Sequence, residues 1–312
     1  MMNVTGGEFV SGVPSRRGLA SVTPNLDDGT AASRPAAAQR QLAPGGTLIS
    51  VDIIYGINAV AEALKSRGRG FEYVGVARER HDQRLQRIID ECRRLGIAVR
   101  FLPRQDVDRL AGASSHQGVV AVTSAKTYAE LDDILQRRRA RHALVVVLDG
   151  VEDPHNLGAI LRSADGAGAD GVLIPERRAA GVTATVAKAS AGAAEHVPIA
   201  KVTNIARTLE DLKSRNLWTV GLEERAPQAY DALDYNMDCA LVLGAEGKGL
   251  HDLVRKKCDF LVSIPMLGQV ASLNVSVAAG VVLYEIARQR RRGEAKPTAN
   301  DGPRQPRILK SE

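Results

Sequence analysis

The stretch ALVLGAEGKGL at residues 240–250, followed by FLVSIPMLGQVASLNVSVAAG at residues 260–280, decides the fold of this chain. Each half reads as an apolar strand, at 240–243 and 260–264, that ends in a loop and leads into a helix. In parallel α/β sheets, ligands bind beyond the carboxyl ends of the strands, where glycines let the backbone approach closely. The two loops are therefore predicted to form a small-molecule site.

The composition favours an aliphatic core and a polyanionic partner. The 312 residues are 44% hydrophobic but only 4% aromatic, as expected for parallel strands that helices cover on both faces. The net charge of +6 favours a partner such as nucleic acid. The 3 cysteines are far apart and form no CxxC pair, which argues against a structural metal and for a reducing cytoplasm. No apolar run reaches membrane length, and no signal-peptide pattern opens the chain.

The pattern divides the chain into two α/β units and two tails. Residues 1–48 and 291–312 are basic and aperiodic, which predicts disorder, with the first tail either an RNA-contacting arm or a solvated extension. Residues 51–125 are predicted to form a compact α/β unit, and 126–142 a linker with a basic helical turn. Residues 143–290 alternate strands and helices, which predicts a mostly parallel, doubly wound sheet. Its strands are predicted at 144–148, 171–174, 197–199, 217–221, 240–243 and 260–264, and its helices at 157–166, 183–192, 204–215, 250–257 and 275–288.

The first unit carries more arginine than a solvent-facing surface requires. A planar guanidinium donates two hydrogen bonds to phosphate, so these side chains are candidates for RNA contact. A charged solvent face is the alternative, because acidic residues are interspersed. The arginines are Arg67, Arg69, Arg78, Arg80, Arg84, Arg87, Arg93, Arg94, Arg100 and Arg104.

Five polar residues of the second unit lie just beyond predicted strands or on the turns that follow them. One by one, each has a simpler interpretation: the asparagines, Ser272 and Glu246 as helix caps, and the arginine as a surface ion pair. Taken together, they could be gathered at one edge of the sheet. They are Asn156, Arg162, Glu246, Ser272 and Asn274. His155 is interpreted as the one histidine beside these loops. No Asp or Glu lies at a spacing that indicates a pair with it, so no catalytic role is assigned to His155.

Three segments resemble, in order, the motifs of the SpoU family of RNA ribose 2'-O-methyltransferases. They are NLGAILRSADGAGA at 156–169, LVLGAEGKGL at 241–250 and IPMLGQVASLNVSVAAG at 264–280. The resemblance implies a parallel α/β domain whose C-terminal segment forms a deep trefoil knot, a feature that periodicity does not show.

Three further segments resemble a subgroup that methylates a guanosine ribose of 23S rRNA. They are IYGINAVAEAL at 54–64, HQGVVAV at 116–122 and AGAAEHVP at 191–198. In that subgroup the first unit is a ribosomal-protein-like RNA-binding domain. Asn58, where relatives often carry histidine, is one departure, and the long N-terminal arm is another.

The resemblance implies roles for particular residues. S-adenosylmethionine would be held largely by backbone groups at Leu243, Gly244, Gly247, Ile264, Met266 and Leu273. Arg162 would act on the ribose hydroxyl, with Asn156, Glu246, Ser272 and Asn274 as orienting residues. Because arginine is a poor general base, a phosphate-positioning or alkoxide-stabilising role is preferred. No metal is implied.

The resemblance also implies a homodimer through helices of the second unit. The apolar residues of the last helix have core packing as their alternative: Ala278, Ala279, Val282 and Ile286.

Other functions remain open at this stage. The nearest rival substrate is a tRNA ribose, while the separate first unit favours rRNA. A non-catalytic RNA-binding protein of ribosome assembly would be expected to lose Arg162 or the Asn274 loop, and both are present. A nicotinamide or flavin enzyme would need GxGxxG after the strand at 144–148, and the sequence has none there.

Overall fold

The computed structural model describes residues 39–42, 48–80, 82–177 and 179–294, all within the unit Ala36–Glu312. The remaining residues of both predicted tails lie outside the described ranges. Within those ranges, no helix is long and apolar enough to cross a lipid bilayer.

The N-terminal part forms a five-stranded mixed sheet with three helices. Its elements are β1 Gln39–Leu42, β2 Leu48–Tyr55, α1 Ile57–Ser66, β3 Phe71–Ala77, α2 Gln83–Arg94, β4 Val99–Leu102, α3 Arg104–Ala111 and β5 Val119–Ser124. The strand order is β1-β2-β5-β3-β4, with β3 and β4 parallel and the other pairs antiparallel. The apolar face of α2 is buried at helical spacing, through Leu85, Ile88, Ile89 and Cys92.

The C-terminal part forms a seven-stranded sheet in which every strand pair is parallel. Its elements are α4 Leu131–Arg137, β6 Leu144–Asp149, α5 Pro154–Gly166, β7 Gly171–Pro175, α6 Ala184–Ala189, β8 Ile199–Val202, α7 Ile205–Ser214, β9 Trp218–Leu222, β10 Gln228–Ala229, β11 Cys239–Gly244, α8 Asp252–Lys257, β12 Phe260–Ser263 and α9 Val275–Glu294. The strand order is β10-β12-β9-β11-β6-β7-β8. Separate apolar clusters bury the two faces of this sheet, as a doubly wound arrangement requires.

Several predicted boundaries were wrong. The segment 1–48 is not structureless at its end, because β1 pairs with β2 and β2 begins at Leu48. The helix predicted at 183–192 stops at Ala189, since Ala191 and Gly192 have positive φ angles of 52° and 93° that no helix accommodates. The strand predicted at 197–199 instead runs over Ile199–Val202, and the helix predicted from 250 starts at Asp252.

The last helix is also longer than predicted, because it continues through the basic run to Glu294. The Arg290 side chain explains this extension. Its guanidinium donates to the carbonyl oxygens of His142 at 2.8 Å, Ala143 at 2.9 Å and Met237 at 2.8 Å. Part of the predicted tail is therefore an anchored helix end. Core packing accounts for the apolar residues of α9 named above, all of which are buried.

The two sheets are joined by a buried ionic contact. Arg69 follows α1, and its guanidinium donates to both carboxylate oxygens of Glu195 at 2.9 Å and to Asp52 at 2.8 Å. The side chains of Arg69 and Glu195 are 2% and 1% exposed. Removing one partner of such a pair leaves an uncompensated buried charge, which is strongly destabilising. Arg69 is therefore not available to contact RNA, and its inclusion among the predicted RNA-contacting arginines was wrong.

The predicted linker also packs against the second sheet. Ile134 of α4 is fully buried, and the hydroxyl of Tyr128 accepts a hydrogen bond from the Val182 backbone N–H at 3.2 Å. The segment 126–142 is thus a fixed part of the structure rather than a free connection.

Candidate active site

Three loops meet at one edge of the second sheet because of its strand order. β11 and β12 lie on either side of β9, and β6 lies beside β11. All of these strands are parallel, so the turn before α5, the loop 245–251 and the loop 264–274 leave the same edge. This arrangement agrees with the site predicted beyond the carboxyl ends of the strands.

The structure joins Asn156, Glu246 and Asn274, which we call the amide–carboxylate cluster. The Asn156 side-chain amide donates to Glu246 Oε2 at 3.1 Å. The Asn274 amide donates to Asn156 Oδ1 at 2.9 Å and lies 3.4 Å from Glu246 Oε1. One carboxylate thus holds two amides that come from separate loops, and this fixes the three loops relative to one another.

Local structure explains why these side chains can meet. Asp153 caps α5 through the His155 backbone N–H, and Pro154 opens the helix. Asn156 therefore sits in the first turn, and the alternative interpretation of Asn156 as a helix cap does not apply. Asn274 does cap α9, because its Oδ1 accepts the Ser276 backbone N–H at 2.9 Å. Glu246 binds the two amides, and no helix-capping bond of its side chain is found among the described residues.

The loop 245–251 is closed by its own backbone and by a buried carboxylate. The Gly249 N–H donates to the Ala245 carbonyl at 2.9 Å, and a Cβ on Gly244 would lie 2.1 Å from the Gly249 carbonyl carbon. Asp149, at the end of β6, accepts the His251 backbone N–H at 2.8 Å and pairs with His251 Nδ1 at 3.0 Å.

The interpretation of His155 as the one histidine beside these loops was therefore wrong. Asp149 and His251 stand about a hundred residues apart in the sequence, and no spacing rule connects them. The available signal was that Asp149 directly follows the predicted strand at 144–148 and that His251 directly follows the motif at 241–250.

Arg162 and Ser272 are not part of the amide–carboxylate cluster. Both side chains are exposed, and neither forms a hydrogen bond or ion pair with any residue that the structure describes. Arg162 lies six positions after Asn156 on α5, which places it on a different face of that helix. An arginine free of protein partners has its full set of donors available to a ligand.

The residues predicted to hold the cofactor surround two loops that leave the strand ends. Leu243 is buried in β11 and Ile264 packs against the core, while Met266 and Leu273 are partly exposed on the second loop. Residues 265–273 form no backbone hydrogen bond with any other described residue. Free backbone groups beside apolar side chains fit a ligand with adenine, ribose and amino-acid parts.

The described residues contain no group of three or more His, Cys, Asp or Glu side chains that could hold a metal ion.

Two family models match the chain over nearly all of its folded part. Residues 143–284 match the SpoU rRNA Methylase family. Residues 53–129 match a model described as RNA 2'-O ribose methyltransferase substrate binding. The two matches correspond to the two sheets.

Relatives and solved structures are similar along most of their length. A Bacillus subtilis (strain 168) protein assigned to the TrmH family of tRNA/rRNA methyltransferases is 47% identical over 241 residues, which are 77% of this chain and 96% of that protein. The SpoU methyltransferase AviRb from Streptomyces viridochromogenes, solved with the cofactor AdoMet, has a TM-score of 0.66 at 26% identity, covering 78% of this chain and 92% of that one. An RNA 2'-O ribose methyltransferase structure has a TM-score of 0.67 at 29% identity, covering 77% and 89%.

Proposed function

This chain belongs to the SpoU rRNA Methylase family, and from that premise we propose that it methylates the 2'-hydroxyl of a ribose in structured RNA with S-adenosylmethionine as the methyl donor. We propose a guanosine of 23S rRNA as the target. The amide–carboxylate cluster is the observation that carries the proposal, because it holds three loops in one arrangement at the ligand-binding edge of the sheet.

In this proposal the loops 244–247 and 264–273 hold the cofactor. S-adenosylmethionine supplies a methyl group made electrophilic by its sulfonium. Leu243, Ile264, Met266 and Leu273 offer apolar surface, and the loop backbone offers unpaired N–H and C=O groups. A site of this kind binds through shape and backbone contacts, so positioning supplies much of the acceleration.

Arg162 is assigned to the RNA. A guanidinium stays charged near neutral pH, so it is a poor base but a strong donor to phosphate oxygens or to an oxygen that becomes negative. Its exposure and its lack of protein partners among the described residues support this assignment. Ser272, also exposed, would orient the ribose or the loop, and the amide–carboxylate cluster would keep the loops in place.

The choice of rRNA rests on the first unit and the charge. The match to a substrate-binding model over residues 53–129, together with the net charge of +6, supports a large folded RNA. The name of the Bacillus relative covers both tRNA and rRNA, so a tRNA ribose is the rival that the experiment must separate.

Family membership also supports three further parts of the proposal. These are the trefoil knot, action in the cytoplasm and a homodimer. For the dimer, α9 offers Val277 and Tyr284, which are 52% and 53% exposed and two helical turns apart on one face.

The proposal is tested with the purified protein, S-adenosylmethionine labelled in its methyl group, and transcripts of 23S rRNA and tRNA. We expect label in 23S rRNA at one ribose, and almost none with Arg162→Ala. Arg207→Ala, an exposed arginine on α7, is the matched control and should methylate normally. Calorimetry with S-adenosylmethionine should give similar affinity for all three proteins. Full turnover by Arg162→Ala would remove this residue from the mechanism.

A further inference from the structure

We propose a binding site for an unpaired nucleobase and its flanking phosphates on the edge of the first sheet, centred on Phe101. The inference rests on the proposed function in that it takes RNA as the partner. We call this site the Phe101 cavity. It has a volume of about 470 Å³ and is lined by Arg78, Arg80, Gln83, Ile89, Arg93 and Phe101, among others.

Phe101 is exposed where an aromatic side chain has no structural reason to be. It lies on β4, an edge strand, opposite Val76 of β3, and the residue is 49% exposed. The chain has only 4 phenylalanines. Beside the ring, Ile89 of α2 supplies a buried apolar floor. An open cavity of this size with one aromatic wall accommodates a flat ring stacked on Phe101.

The rim of the Phe101 cavity is positively charged. Arg78 is held by a hydrogen bond from its Nε to the Phe101 carbonyl at 3.0 Å, which leaves its two terminal nitrogens free among the described residues. The side chain of Arg80 passes over Gly118, where a Cβ would lie 2.8 Å from Arg80 Cδ. Arg93 is the third arginine, and its Nη1 donates to Asp90 at 3.3 Å. Asp82 is the one carboxylate of the lining.

Asp82 offsets only part of the positive charge of this rim. One of its oxygens accepts the backbone N–H groups of Arg84 and Leu85 as the cap of α2, and the other lies 3.6 Å from Arg80. Three guanidinium groups around one aromatic ring provide what single-stranded RNA requires, namely phosphate contacts and a stacking surface for a base.

Three other arginines of the first unit are committed to protein contacts. Arg69 is buried against Glu195, Arg94 is paired with Glu91, and Arg100 lies 3.8 Å from the ring centre of Tyr73. The Phe101 cavity contains three of the predicted arginines, of which Arg78 has no carboxylate partner among the described residues. The buried Arg69–Glu195 pair links this sheet to the second sheet, which carries the amide–carboxylate cluster.

The test measures binding of a fluorescein-labelled oligoadenylate of about twelve nucleotides and of a duplex RNA of the same length to the full chain. We expect Phe101→Ala to weaken oligoadenylate binding about tenfold and to leave duplex binding almost unchanged. Phe101→Trp should restore binding, because a larger ring stacks at least as well. Arg78→Ala should weaken the binding of both RNAs. It should also reduce the slope of log affinity against log salt concentration by about one, because one phosphate contact is lost.

Leu253→Ala, at an exposed apolar residue of α8, and Arg207→Ala are the matched controls and should bind both RNAs normally. Thermal melting of each variant shows whether it is folded. Wild-type affinity in Phe101→Ala, failure of Phe101→Trp to restore binding, or no measurable oligoadenylate binding by the wild type would overturn the inference. If Phe101→Ala weakens binding but the wild type methylates no RNA, the Phe101 cavity stands and the proposed function fails.

Discussion

Asn156 of the first motif donates a hydrogen bond to Glu246 of the second at 3.1 Å, although the two residues are 90 positions apart. Asn274 of the third motif completes the contact through Asn156 Oδ1 at 2.9 Å. The three motifs are therefore linked by hydrogen bonds, and a substitution at one amide should alter the positions of loops that follow different strands.

Asn274→Asp separates the two functions of this residue. An aspartate retains the oxygen that caps α9 but loses the amide that binds Asn156 and adds a charge beside Glu246. We expect near-normal stability with methyl transfer reduced at least about tenfold, as for the loss of a positioned hydrogen bond. Asn274→Ala should lose activity and also about 1 kcal/mol of stability, because the cap is gone. Comparable destabilisation by both variants would contradict the assignment.

Gly244→Ala should disrupt the loop 245–251 through a steric clash. The added Cβ would lie 2.1 Å from the Gly249 carbonyl carbon and 2.4 Å from the Leu250 nitrogen, which are backbone atoms that cannot rotate away. We expect the free energy of unfolding, measured with urea, to fall by at least about 2 kcal/mol, and S-adenosylmethionine binding to be lost as well. Gly268→Ala is the control, since no atom lies within 4 Å of its Cβ, and its stability should change by less than about 0.5 kcal/mol.

Arg290→Ala should release the end of α9 from the sheet. The guanidinium donates to backbone carbonyls of two chain segments, at His142 and Ala143 and at Tyr235 and Met237, so about 3 kcal/mol of unfolding free energy should be lost. Arg291→Ala, one residue further and exposed, should be neutral. Equal effects of the two substitutions would show that general charge, and not this anchor, holds the helix.

Burial of Cys92, together with the charge of Glu91, raises the pKa of its thiol to about 11 from an ordinary value near 9. Between these values the unfolded chain has lost the thiol proton and the folded chain has kept it, so stability falls as pH rises. Cys92→Ala should flatten this alkaline decline by up to about 1.4 kcal/mol per pH unit. Ile89→Val, in the same apolar cluster, should lower the free energy of unfolding at every pH without changing how steeply it falls with pH. An unchanged slope in Cys92→Ala would refute the prediction.

Periodicity predicted the α/β class and the mostly parallel second sheet, because both depend on the local spacing of apolar residues. It failed where a long-range contact decides the outcome. The extension of α9 depends on Arg290 reaching carbonyls that lie about 50 and 150 residues earlier. The end of α6 depends on the positive φ of Ala191, a conformation that an alanine in the sequence does not indicate.

The candidate site could be predicted only in part for the same reason. Asn156, Glu246 and Asn274 were selected because each follows a strand, and parallel strands bring such positions to one edge. The pairing of Asp149 with His251 has no local signal. The Phe101 cavity was also missed, because an exposed phenylalanine on an edge strand looks the same in sequence as a buried one.

The most direct test of the central claim is ribose-methylation mapping of total 23S rRNA and tRNA from cells with the protein, without it, and with Arg162→Ala in its place. We expect one 2'-O-methylguanosine of 23S rRNA to disappear in the second and third strains and the ribose methylation of tRNA to be unchanged. A full set of ribose methyl groups in cells that lack the protein would contradict it.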